Sequence, residues 1–557
     1  MRSTSSGVLE QFQDHVAVPF QLYNSLFTAL PFNRIEKTGI LLSLFLNNCE
    51  EGYDAGLSPL RIVENFFENH ASIKSETEKI DMLFRFVQYA ERQVVLFDAL
   101  EDAAFEKVND MQGRGTLKHL ESEVLQNNEK PELIEKLRVF YVRLVLTAHP
   151  TQFYPGSVLG IINDLVDAIS ENNVSEINTY LQQLGRTPFI KKQKPTPFDE
   201  AVSLIWYLEN VFYDAVGNIV SELNNFLERE STPIKMGFWP GGDRDGNPFV
   251  NADTTLQVAA ALRNSICRCY YRDVRKLKRR LTFSGVEAVL GELEQKLRDA
   301  AYGAKPDAVL SIEDVLAALS EIQKLLIERH NGLFVDLVND LIYKVESFGW
   351  HFASLDIRQD SGEHSRVIEQ IAESCDVLPK GYSDLSDDEK MSTLLNVGRA
   401  VTADNFTDEI TVDTLKTIAA IKNIQQQNGP EGCNRYIISH CQSALDVIEV
   451  YGLFLLSGWQ AEEMTVDIVP LFETVEDLEN AAGVMSELYE NETYRDHLGR
   501  RNDTQPIMLG FSDGTKDGGY LTANWSIYSA KKELTKISRE HGIEVIFFDG
   551  RGGPPAR

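Results

Sequence analysis

From residue 348 onward, short apolar runs alternate with helical stretches, and this alternation constrains the fold more than any other feature of the chain. Runs at 351–357, 435–439, 466–471, 507–511 and 543–548 have the length and apolar character of strands buried on both faces. Helical patterns fill the gaps, for example at 412–427, 475–490 and 524–541. Strands joined through helices run parallel, because a parallel pair needs a long crossover. Two further runs, 144–147 and 234–238, bring the expected strands to seven. The fold class this predicts is α-rich α/β, a helical body around a β/α barrel.

Each strand runs into a polar cluster. After 144–147 comes Ala148-His149-Pro150-Thr151. Pro150 cannot donate to a sheet ladder, so the strand stops there, and the residue before a proline is held extended. His149 is thereby presented at a strand end, and histidine exchanges protons near neutral pH. The other ends carry Arg358, then Glu473, then Asp513 with Lys516, then Arg551. In a closed parallel barrel these ends meet on one face. Each residue has a plain structural reading: His149 as a satisfied junction residue, Glu473 as a helix cap, Asp513 in a turn, the cations as partners of the acids. Taken together they point further. Two carboxylates are hard oxygen ligands suited to Mg²⁺ or Mn²⁺. Arg358, Arg551, Arg557 and Lys516 form a cationic nest for phosphate and carboxylate groups. Metal, phosphate clamp and base together suggest phosphoryl chemistry with an enolate or carboxyl intermediate.

The remainder is mostly helical. Residues 1–140 read as helices, and a long helix at about 199–227 carries Leu204, Leu208, Val211, Val216, Ile219, Leu223 and Phe226 in one stripe. Helical patterns resume through 286–301 and 312–345. Between them, 235–248 (KMGFWPGGDRDGNP) reads as a glycine-rich loop whose Asp243, Arg244 and Asp245 pair with each other or with a ligand. The basic run 272–280 continues a helix and reads as its solvated face. With 84 acids against 54 bases, a net charge of −30, general nucleic-acid binding is disfavoured. Six cysteines without zinc spacing fit a reducing cytoplasm, and no stretch reaches transmembrane length.

In chain order, LTAHPT, GGDRDGNP, LDIRQD, PLFET, GFSDGTKDGGY and FDGRGGPPAR resemble the signature motifs of phosphoenolpyruvate carboxylase, across about residues 144–557. The resemblance implies a helical N-terminal region, 1–143, and a TIM-like β/α barrel with helical insertions, 144–557, of which seven of eight strands lie in this chain. It implies a cytoplasmic, homotetrameric enzyme. The enzyme would join phosphoenolpyruvate and bicarbonate, with Mg²⁺ or Mn²⁺, to give oxaloacetate and phosphate for the tricarboxylic acid cycle. Glu473 and Asp513 would hold the metal. Arg358, Arg551 and Arg557 would neutralise the phosphoryl group, and Trp239 would bind substrate. His149 would take the carboxyphosphate proton, and Lys516 matches a second catalytic position. Asp549 stands where most members have histidine and is expected to orient Arg551. The family continues beyond the motif at which this chain stops, so the expectation is an incomplete barrel, inactive or nearly so alone. Two rivals stay open: a non-catalytic ligand-binding fragment of the same fold, and a metal-dependent phosphotransferase acting through a phosphohistidine.

Overall fold

The computed structural model describes residues 3–29, 38–71, 73–147, 156–189, 195–228, 231–303 and 310–550. The chain forms two compact units, 1–128 with 149–194, and 129–148 with 195–557.

The first unit is helical. Its centre is the long helix Glu76–Val108, whose Tyr89, Val95, Leu96, Ala99 and Leu100 are buried. Against it pack Gly156–Ser170, through Val158, Ile161 and Leu165, and Val174–Arg186, through Ile177, Leu181 and Leu184. Arg92 lies in this core, donating to the carbonyls of Gln88, Leu184 and Thr187. Cations suit a helix C-terminus, where carbonyls lack intrahelical partners. The units therefore do not follow the expected division at 143/144. The apolar faces of the two helices after β1 belong to the core of the N-terminal helices.

The second unit is built on a seven-stranded parallel sheet in chain order, as the alternation predicts: β1 Val142–Leu146, β2 Ile234–Phe238, β3 Ser354–Asp360, β4 Arg435–Ser439, β5 Asp467–Phe472, β6 Thr504–Gly510 and β7 Glu544–Gly550. Side chains alternate between its faces. Ile437, Val469, Leu471 and Met508 form an inner cluster with Trp239, against which both Val145 of β1 and Phe548 of β7 pack. The first and last strands thus meet one cluster, so the sheet is curled. The opposite face, with Leu355, Ile357, Tyr436, Ile438, Ile468, Ile507 and Leu509, enters the large core with the surrounding helices. Among the described residues β1 and β7 are the sheet edges, and Val142 and Leu144 of β1 are exposed.

The helix at 199–227 buries Leu208, Val216 and Leu223 of its expected stripe and turns other members of it outward. Pro197–Tyr207 and Tyr213–Leu227 are joined through a π turn, Leu208–Phe212. The wider turn rotates the second helix about its axis relative to the first. Tyr213, Val216, Val220, Leu223 and Leu227 are buried, whereas Val211 and Ile219 of the expected stripe are exposed. The 312–345 pattern divides into Ile312–Arg329 and Val335–Phe348, with left-handed backbone at Asn331, Gly332 and Phe334 between them. The basic run ends the helix Ala252–Lys278, as expected. Among the described residues no helix is long and apolar enough to cross a membrane.

Candidate active site

The polar residues gather at the C-terminal ends of β2 to β6. β2 delivers Trp239 and the glycine-rich loop, which is laced to β3. The Arg358 amide donates to the Gly242 carbonyl at 3.0 Å, and the Arg244 amide donates to the Arg358 carbonyl at 2.9 Å. The fit depends on glycine: a Cβ on Gly242 would lie 1.9 Å from the Asp356 carbonyl oxygen.

The three charges of this loop divide their tasks. Asp243 receives Arg358 through Nε at 2.7 Å and Nη2 at 3.1 Å, and Asp245 stands 3.5 Å from the same guanidinium. Arg244 turns inward, donating to Thr255, Thr417 and the Gly242 carbonyl. Burial works against the Arg358 charge, but Asp243 and Asp245 outweigh it and hold the guanidinium above its ordinary value. Burial also pushes the Asp243 carboxyl up, against the pull of Arg358. The guanidinium sits 4.9 Å from the Trp239 ring centroid, within cation–π range. Trp239 is fixed from below, its Nε1 donating to Asp356 at 3.1 Å. Asp356 in turn receives Arg143 of β1 at 2.7 and 2.9 Å. Gly237 makes room for that crossing, since a Cβ there would press on the Arg143 guanidinium at 2.8 Å.

Glu473, at the end of β5, is buried. It is not the helix cap; Thr474 and Asp477 cap Val475–Glu490 reciprocally. Burial raises the Glu473 carboxyl above its ordinary range, His440 opposes this, and nearby Asp513 adds to it. Asp513 lies in the first turn of Phe511–Gly518, not in an open turn, and accepts from Lys516 at 2.8 Å; both are exposed. Gly510 keeps this corner tight, as a Cβ on it would sit 3.0 Å from the Glu473 Cα. Asp549, at the end of β7, is paired with Lys531 at 2.6 Å.

His149, Arg551 and Arg557 lie outside the described residues. Of the expected site residues, Trp239, Arg358, Glu473, Asp513 and Lys516 are at the C-terminal ends of β2, β3, β5 and β6, with Trp239 touching Arg358 and Lys516 touching Asp513. His440 was not among the candidates, although it follows β4 immediately and the strand-end rule would have found it. Its Nδ1 lies 2.6 Å from Asp360 and its Nε2 3.5 Å from Glu473. The hydrogen bond with Asp360, and then the charge of Glu473, raise its pKa. Among the described residues no group of three or more His, Cys, Asp or Glu is arranged to hold a metal ion. The carboxylate pair Glu473 and Asp513 remains a fitting donor set, since two hard oxygen ligands leave coordination positions for water and substrate.

A curled parallel sheet with a buried carboxylate, a second carboxylate and a clamped arginine at its C-terminal ends belongs to the α/β, TIM-like barrel class of fold. The family model described as phosphoenolpyruvate carboxylase matches residues 65–309 and 295–557. Proteins named phosphoenolpyruvate carboxylase are similar over most of the chain. That of Shewanella loihica is 31% identical over 481 residues, 77% of this chain and 53% of that protein. That of Gloeobacter violaceus is 29% identical over 502 residues, 77% of this chain and 54% of that protein. That of Trichormus variabilis is 29% identical over 555 residues, 80% of this chain and 54% of that protein. This chain belongs to the phosphoenolpyruvate carboxylase family, and it spans about half the length of these curated relatives.

Proposed function

We propose that the site serves the carboxylation of phosphoenolpyruvate by bicarbonate, giving oxaloacetate and phosphate. The observation that carries this reading is the convergence of Glu473, Arg358 and Trp239 at the C-terminal ends of one curled parallel sheet, in a chain of this family.

In this reading Arg358 receives the phosphoryl group. Asp243 occupies its Nε and Nη2, so the guanidinium plane is set before substrate arrives and little reorganisation accompanies charge transfer. The Trp239 ring beneath it excludes water from one face. Glu473 and Asp513 would hold Mg²⁺ or Mn²⁺, which supplies positive charge to phosphate and enolate oxygens. The roles of Lys516, Arg551 and Arg557 as further cations, and of His149 as the base for carboxyphosphate, follow the family motifs. Supply of the tricarboxylic acid cycle and assembly as a homotetramer belong to the same proposal.

The test is calorimetric titration with phosphoenolpyruvate, in the presence and absence of Mn²⁺. Saturable binding that needs the metal and is lost in Arg358→Gln and Glu473→Gln is expected. Equal binding by wild type and both variants would refute the reading. Stable transfer of labelled phosphate from phosphoenolpyruvate to a histidine would favour a phosphotransferase instead.

A further inference from the structure

We infer that His440 is a positioning residue for Glu473, itself held in place by Asp360. This rests on the reading of Glu473 as a metal ligand and adds a residue to that site.

His440 is the first residue past β4, with φ at +50°, a left-handed conformation that non-glycine residues adopt only where their surroundings enforce it. With the backbone in that conformation, two groups of one residue converge on one atom. The His440 amide donates to Glu473 Oε2 at 3.3 Å, and the ring Nε2 lies 3.5 Å from the same oxygen. The Oε1 atom takes part in neither contact. The other ring nitrogen, Nδ1, is 2.6 Å from Asp360 Oδ2. Asp360 is anchored too, as its Oδ1 accepts from the Gly362 amide at 2.9 Å at the start of Ser361–Ser374. The His440 carbonyl accepts from Ser361 Oγ at 2.8 Å.

A chain of contacts thus runs from a helix start, through Asp360 and the imidazole, to one oxygen of the buried carboxylate. The ring itself is more than half exposed, so the hydrogen bond at Nδ1 and the charge contact at Nε2, not packing, set its orientation. A carboxylate that must meet a metal at a fixed angle benefits from such an outer partner. Loss of such partners characteristically weakens metal binding about 10- to 100-fold. The groups facing the imidazole are Asp360 at the end of β3 and Glu473 just past β5, with Asp245 contributing at longer range.

The experiment measures Mn²⁺ affinity of the whole chain by electron paramagnetic resonance, with thermal unfolding as a check on folding. His440→Ala is expected to weaken Mn²⁺ about tenfold or more, and His440→Gln, which keeps a donor, to recover part of the loss. Asp360→Asn, which keeps the helix-capping oxygen, should weaken binding in the wild-type background and add nothing to His440→Ala. With ¹⁵N-labelled histidine, no Mn–nitrogen coupling from His440 is expected. Wild-type affinity in a folded His440→Ala, additive losses with Asp360→Asn, or a nitrogen coupling that marks His440 as a direct ligand would each overturn the inference. Glu473→Gln separates the two levels. If it binds Mn²⁺ like wild type, or if wild type binds none, the metal reading falls; if it abolishes binding while His440→Ala does not weaken it, only the positioning role falls.

Discussion

Arg143→Met tests the foundation beneath Trp239 and Arg358. The Arg143 and Asp356 side chains are 9% and 0% exposed, and two charge-assisted hydrogen bonds join them. A third donation, from Nη2 to the Ser354 carbonyl at 3.1 Å, ties Arg143 to β3. Replacing Arg143 by methionine leaves the buried carboxylate with the Trp239 indole as its hydrogen-bond donor and Arg435 as the nearby cation, which costs about 3 kcal/mol, most of it the penalty of a charge that has lost its direct partner. Asp356→Asn alone strands the arginine and costs about 3 kcal/mol by the same reasoning. The double variant removes both charges and keeps an oxygen for Trp239, so its cost falls to about 1–2 kcal/mol, far below the sum of the singles. All five tryptophans lie in the second unit, so their fluorescence in urea reports that unit's unfolding. A cost under about 1 kcal/mol for Arg143→Met, or a double variant as damaged as the two singles added, would refute the argument.

Three further outcomes are expected. Glu449, buried and hydrogen-bonded to Ser365, is pushed up to about 7 by burial. The native state then keeps a proton that the unfolded chain has released, so this contribution is complete below about pH 4.5 and is lost as pH rises through about 7, on the order of 3 kcal/mol in all; Glu449→Gln should flatten that part of the stability–pH curve, and an unchanged slope would contradict it. Gly242→Ala should destabilise by more than about 2 kcal/mol in urea unfolding, because its Cβ meets the Asp356 backbone at 1.9 Å. Trp239→Leu should weaken phosphoenolpyruvate binding up to about tenfold by removing the ring beneath Arg358, with an unchanged dissociation constant counting against that role.

The sequence by itself determined the strands, their parallel order, the family, and the residues offered at strand ends. These are local properties. A run of apolar residues or a proline after His149 acts through neighbouring backbone, and family motifs are contiguous in the chain. Seven short runs separated by helices leave little choice but a parallel sheet, and the strand-end rule extends to His440. What tertiary structure decided was partnership. Asp243 could serve its own loop, a ligand or a distant cation, and only the register of β2 against β3 gives it to Arg358, 115 residues away. Asp356 and Arg143 meet across 213 residues because Gly237 lacks a side chain on the strand between them. The π turn at Leu208–Phe212 turned the expected apolar stripe, and the helices after β1 joined the N-terminal core. Hydrophobic periodicity selects which face of an element is buried. It carries no record of which other element will bury it, and the charge on a strand end acquires its pKa and its task only from the neighbour that folding brings against it.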